Sequence, residues 1–163
     1  MDRVGAKMRT LVPARIGPAW VLFDAEIIRE ILGSQPWLPI PGARAEMPGV
    51  IAWRGRAIPV VDLAAPFGSE KLAASGSRAR TLIAATGDSI VAVPVDAARE
   101  VHALEDAVLQ PVHLTQLPYA AAETELFERI LAVIDLPRFV FEIENGAAPE
   151  LERGGLLGDA ASS

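Results

Sequence analysis

Apolar residues along the chain fall in short runs rich in Val, Ile and Leu, broken at brief intervals by glycine or proline, each of which occurs 13 times. No helical spacing of apolar positions lasts beyond about three turns, so alternation with a period of two, the mark of strands, is the dominant pattern. The runs predict strands over Thr10–Ile16, Trp20–Phe23, Ile28–Leu32, Val50–Trp53, Ala57–Asp62, Thr81–Ala85, Ile90–Val95, Arg99–Ala103 and Arg129–Leu136. Two joins have the form of hairpins. Arg54-Gly55 separates two alternating runs, with glycine second, where a positive φ is easiest to adopt. Gly87-Asp88 lies in the short turn between the next pair. Pro59 and Pro94 fall inside strand-like runs and have no N–H for a ladder, so edges or bulges are their expected places.

The pattern also repeats. Glu26-Ile27-Ile28-Arg29-Glu30-Ile31 is echoed by Asp96-Ala97-Ala98-Arg99-Glu100-Val101, an offset of about 70 residues, and the run from Arg56 to Leu63 is echoed at nearly the same offset by Arg129 to Leu136. Two matches in one order imply a pair of similar β units, each too small to bury a good core alone, with a binding groove expected between them. The expected fold class is therefore all-β with short helical turns. Residues 1–9 are expected to form an N-terminal extension and 10–143 the folded domain. Lys71–Arg78, rich in Ala, Ser and Gly, is expected as the connector between the halves (near 69–79), and 144–163 as a disordered tail.

Composition narrows the function. Of the 163 residues, 51% are hydrophobic and 22% charged, a globular balance. Without cysteine there is neither a disulfide nor a thiolate metal site. The net charge of −6 argues against general attraction to nucleic acid. No apolar run reaches the roughly 18 residues of a membrane span, and no signal core opens the chain, so a soluble cytoplasmic protein without direct membrane insertion is expected.

The search for catalytic chemistry yields little. Neither phosphate-cradling glycine motif is present. His102 and His113 are the two histidines, not at i, i+4 spacing, and surface or packing roles suit them better than metal binding. Asp62 and Asp135 close matching runs in the two halves and could in principle share a proton, as paired carboxylates do. Each is followed by Leu and not by an exposing Thr/Ser-Gly turn, so capping of the next turn is preferred and an aspartyl-type hydrolase ranks last. No catalytic residue, metal ligand or cofactor is assigned. Trp53-Arg54-Gly55-Arg56 is more informative, since it sets an indole beside a guanidinium on a hairpin tip, and Trp and Arg are among the residue types most enriched at interface hot spots. A plain surface ion pair of Arg54 is the competing reading.

Around this hairpin the sequence resembles the CheW family of chemotaxis coupling proteins. The family's stretch Gly-Val-x-Asn-Leu-Arg-Gly-x-x-x-Pro-Val-x-Asp-Leu is matched by the residues from Gly49 to Leu63, with Ala52 and Trp53 in place of Asn and Leu. Ile28-Arg29-Glu30-Ile31 is similar to the family's Val-x-Glu-Ile/Val, the residues from Val93 to Val101 to its Leu-x-Val-Asp-x-Val-x-Glu-Val, and Arg129–Leu136 to its closing strand. The resemblance implies two packed five-stranded, barrel-like subdomains around a shared apolar core and no catalytic activity. It implies an adaptor linking chemoreceptor cytoplasmic tips to the regulatory domain of a CheA-type histidine kinase, with the kinase contact made barrel to barrel. Its receptor-facing groove carries over to Ile28, Glu30, Gly49, Arg54 and Gly55, joined by Trp53 from the reading of the hairpin tip. The alternative is a divergent CheW-like binding module in a regulatory complex that lacks one of these partners.

Overall fold

The computed structural model of the chain describes residues 7–64, 66–68 and 77–146. Most of the expected extension (1–6), most of the expected connector (69–76) and the expected tail from 147 onward lie outside the described residues.

Among the described residues twelve strands form two sheets, accompanied by one α-helix and two short 3₁₀ turns. The strands are β1 (Met8–Ile16), β2 (Ala19–Asp24), β3 (Ile28–Gly33), β4 (Leu38–Pro39), β5 (Gly49–Trp53), β6 (Arg56–Val60), β7 (Arg80–Thr86), β8 (Ser89–Val95), β9 (Ala97–Ala98), β10 (His102–Glu105), β11 (Ala120–Leu126) and β12 (Arg129–Ile134). The helix α1 spans Leu136–Glu144. One sheet runs β10-β1-β2-β12-β11, with β9 also on β1, and the other runs β3-β7-β8-β6-β5-β4. Setting aside the two-residue strands β4 and β9, each sheet has the five strands expected.

The two sheets repeat one another. In each, a tight hairpin (β1–β2 or β7–β8) lies parallel to the second strand of another hairpin (β12 of β11–β12, or β6 of β5–β6). The echoed sequences occupy equivalent places: Arg56–Val60 is β6 and Arg129–Ile134 is β12. The other echo falls on β3 and on β9 with the residues leading to β10, and the pairing of both slips by one residue, between Ile28↔Ala84 and Glu30↔Ile83 and between Ala98↔Ala14 and His102↔Leu11.

The halves are not consecutive in the chain. One sheet is the continuous stretch β3–β8, while the other joins β1–β2 to β9–β12. β6 and β7, the strands on either side of the 69–79 stretch expected to link the halves, belong to a single sheet.

Alternation distributes the apolar side chains between three cores. Ile51, Ile58, Val60, Ile83 and Ala92 point into one barrel, and Leu11, Leu22, Leu131 and Val133 into the other. Their neighbours along the same strands, among them Val21, Phe23, Leu82, Ala84, Val91, Val93 and Ala132, meet in a shared core between the sheets. Helix α1 closes that core with Leu136, Phe139, Val140 and Ile143 at helical spacing. Each of these large buried side chains contributes roughly 1.5–3 kcal/mol of burial free energy, so the shared core binds the two barrels into one unit.

Several expectations need correction. Pro59 and Pro94 lie on β6 and β8, which are interior strands. Counting from their tight turns, both occupy non-hydrogen-bonded positions toward their hairpin partners, opposite Val50 and Thr81. Their ring nitrogens face the β6–β8 side, where the registered pair is Val60↔Ala92 and Val61 N–H donates to the Ala92 carbonyl at 2.8 Å. The strand expected over Arg99–Ala103 is broken, because Arg99 N–H donates to the Pro13 carbonyl at 2.9 Å and the ladder resumes only at His102. The strand expected through Leu136 stops at Ile134. Asp135 caps α1 there, accepting the Arg138 N–H at 3.1 Å, and a proline sits in the first turn, where its missing donor does no harm. β4 and β11 were not among the expected strands.

A candidate docking face on the first barrel

Three of the expected site residues meet directly. Trp53 closes β5 and Arg54 opens the turn to β6, while Glu30 lies on β3, at the far edge of the same sheet. The sheet curls until the ends approach: Trp53 Nε1 donates to Glu30 Oε1 at 2.9 Å, and Arg54 Nη2 donates to the same oxygen at 3.3 Å. The Arg54 guanidinium also lies 4.9 Å from the centre of the Trp53 ring. The indole body packs on the core of the first barrel, so the cluster is anchored from beneath. The Arg54 side chain remains 69% exposed, oriented by two neighbours yet open to solvent. The surface ion pair considered from sequence is present, between Arg54 and Glu30.

The turn itself is shaped for this. Arg54 and Gly55 have φ of 50° and 74°, both positive, the conformation of a type I′ hairpin that matches strand twist. Nothing stands within 4 Å of a Cβ added at Gly55, so backbone conformation alone favours glycine there. Gly49 differs. It is buried, and a Cβ there would collide with the Leu38 carbonyl oxygen and the Trp37 ring. Its role in the structure is close packing of β4 and Trp37 on β5. Ile28 is half-buried against the shared core, just before the slip in register that brings Glu30 to Trp53.

Beside the hairpin lies an apolar groove of about 570 Å³, lined by Pro36, Trp37, Leu38, Val50, Ile51, Ala52, Gly55, Arg56 and Ala57. Leu38 is 71% exposed at its rim. Trp37 and Leu38 were not among the expected site residues. The signal available for them was the run Pro36-Trp37-Leu38-Pro39-Ile40-Pro41, an apolar segment that its prolines keep from regular pairing.

The acidic candidates act as caps. Asp62 accepts the Ala64 N–H at 2.8 Å and Asp135 accepts the Arg138 N–H, each opening a separate turn. Burial holds the Asp62 carboxyl above the ordinary range, the Ala64 N–H pulls it the other way, and Glu46 adds to the rise. His102 sits edge-on to Phe127 with ring centres 5.1 Å apart, and His113 is exposed. Among the described residues no His, Asp and Glu side chains group as a metal site.

The model of the CheW-like domain matches residues 11–144. The chain belongs to the CheW-like domain family. Within it, a probable chemotaxis protein CheW of Rhizobium etli is 30% identical over 144 residues, covering 86% of this chain and 92% of the relative. A chemotaxis protein CheW of Rhizobium meliloti is 33% identical over 103 residues, 63% of this chain and 66% of its own. The crystal structure of the scaffolding protein TtCheW from Thermoanaerobacter tengcongensis superposes with a TM-score of 0.68 at 21% identity, covering 78% of this chain and 88% of that one, which shows the shared CheW-like fold.

Proposed function

We propose that this CheW-like chemotaxis coupling protein joins chemoreceptor cytoplasmic tips to the regulatory domain of a CheA-type histidine kinase, and that the receptor grips the face around Arg54. Ile28, Glu30, Gly49, Trp53, Arg54 and Gly55 make up this face. The observation that supports it most is the convergence of Trp53 and Arg54 on one oxygen of Glu30. A side chain that is already positioned loses less freedom on binding, and an exposed Arg beside Trp is the composition of an interface anchor.

Ile28 and Gly49 serve the face from beneath, Ile28 by seating β3 on the shared core and Gly49 by letting β4 and Trp37 approach. The protein acts by contact and catalyses nothing. It holds kinase against receptor, so that a receptor movement changes which kinase conformation is favoured. It does this in the cytoplasm, reaching the membrane only through the receptors; none of the described helices is long and apolar enough to cross one.

Co-purification tests this reading. The full chain is mixed with a receptor tip, with the kinase regulatory domain, and with both. Capture of each, and of both together, is expected. Capture of only one would favour the divergent-module alternative, and capture of neither would remove the coupling role.

A further inference from the structure

The chain carries a net charge of −6, yet Arg15, Arg78, Arg80 and Arg99 line one pocket of about 190 Å³ together with Trp20, Ala97 and Ala98. The pocket lies at the seam of the two sheets, between β1, β2 and β9 on one side and the start of β7 on the other. None of its lining residues belongs to the Arg54 face.

Three of the guanidiniums are held in place. Arg80 Nη1 donates to the carbonyls of Ser77 and Ala79 at 3.0 and 2.8 Å. Arg15 Nη1 donates to the Gly17 carbonyl at 3.0 Å and lies 3.9 Å from Asp96 Oδ2, an oxygen that also accepts the Gly17 N–H at 2.7 Å. The Arg99 guanidinium stacks over Trp20 and Phe127, 5.0 and 4.4 Å from their ring centres. These anchors leave further N–H donors on each fork. Arg78 is exposed, with no hydrogen bond or ion pair to another described residue.

Four arginines line the pocket, and among the described residues the one ion pair they make is that of Arg15 with Asp96. A pocket lined by one sign of charge focuses the field and concentrates anions, even on a protein whose net charge is negative. We propose that this pocket is an anion site for a phosphate group. A phosphate monoester carries about −1.5 to −2 charges and three acceptor oxygens, which suits several converging guanidinium forks better than a carboxylate with one charge and two oxygens. The volume is below the roughly 300 Å³ at which pockets for whole drug-sized ligands begin, so the phosphate group itself is what is recognised. The site is independent of the coupling role.

The test is an NMR titration of the full chain with inorganic phosphate, O-phosphoserine, acetate and chloride at matched ionic strength. Saturable shifts at the Trp20 indole and at Arg15, Arg78, Arg80 and Arg99 are expected with phosphate. O-Phosphoserine should reproduce them if the site accepts a carried phosphate; shifts with inorganic phosphate alone would place the free ion there. Arg99→Gln and Arg78→Gln should each weaken binding roughly tenfold. Arg78→Gln removes no contact within the described fold, so it reports on the site even if Arg99→Gln unfolds. Arg129→Gln, at the exposed first position of β12 and outside the pocket lining, should leave the titration unchanged. Equal shifts with acetate or chloride, shifts scattered over the surface, or an unaltered titration of a folded Arg78→Gln variant would overturn the proposal.

Discussion

Trp53 Nε1 donates to Glu30 Oε1 at 2.9 Å, tying the strand at one edge of the first barrel's sheet to a strand near its other edge. The contact spans 23 residues of sequence and places the exposed Arg54 beside a fixed carboxylate. Trp53→Phe removes the donor while keeping a ring in the same place. The expected loss is about 1–2 kcal/mol of unfolding free energy, from one charge-assisted hydrogen bond and some buried ring area. Denaturant unfolding measures it, and an unchanged midpoint would mean that the barrel closes without this bond.

Gly49→Ala tests the packing of the groove wall. The added methyl would overlap the Leu38 carbonyl and the Trp37 ring, so β4 must move away from β5. Overpacking of this kind costs about 1–3 kcal/mol. A lowered melting temperature together with a change in Trp37 fluorescence is expected. Gly55→Ala, where space is open but φ is 74°, should destabilise through the backbone while leaving Trp37 undisturbed.

Glu123 gives the molecule an acid-sensitive loop. Its carboxylate is buried and accepts the Thr115 N–H at 3.0 Å, the Leu114 N–H at 2.9 Å and the Thr115 hydroxyl at 2.9 Å. The Thr115 N–H is the largest cause that lowers its pKa from 4.5 to about 2, with burial opposing and the His113 and Leu114 amides assisting. Because the folded value is depressed, its stabilisation is present above pH 4.5 and lost as pH falls toward 2. Asp62 runs the opposite way, since its raised value makes ionisation unfavourable to folding as pH rises. Glu123→Gln should lower stability at pH 7 and flatten the loss between pH 4.5 and 2, read from melts across that range. An equally steep acid loss in the variant would assign that loss to other carboxylates.

The hairpin between β11 and β12 carries avoidable strain. Phe127 and Glu128 adopt φ of 55° and 62° without a glycine. Glu128→Gly should raise stability by about 0.5–1 kcal/mol, the left-handed penalty relieved less the added freedom of the unfolded chain. Phe127 is best left in place, since its ring supports both Arg99 and His102. A lower melting temperature for the glycine variant would show that Glu128 makes a contact worth more than the strain.

Where alternation and turn chemistry agreed, the fold was legible. β5 and β6 were found because Arg54-Gly55 stands between two alternating β-branched runs, and the internal echo of β6 in β12 foretold two like units. β11 was missed because Ala-Ala-Ala-Glu-Thr-Glu-Leu has the local preferences of a helix; pairing with β12 and burial of Glu123 make it a strand. Pro137 hid the start of α1, since it looks like a breaker where it is in fact a helix starter. The interleaving of the two halves could not be read, because nothing in a strand's own residues states which sheet it joins. The candidate face was legible in part. Trp53 and Arg54 were conspicuous on one hairpin, and Glu30 came with the family resemblance, but their meeting depends on sheet curl. The neighbouring groove depends on a two-residue strand too short to leave a pattern.

The most direct measurement is capture of a receptor cytoplasmic tip by purified Arg54→Glu, with circular dichroism recorded on the same sample. Reversing an exposed charge 3.3 Å from Glu30 should leave the barrels folded while disrupting the face. At least roughly tenfold weaker capture by a folded variant is expected, as for loss of an interface anchor. Undiminished capture by a variant with native circular dichroism would contradict the assignment of this face to the receptor.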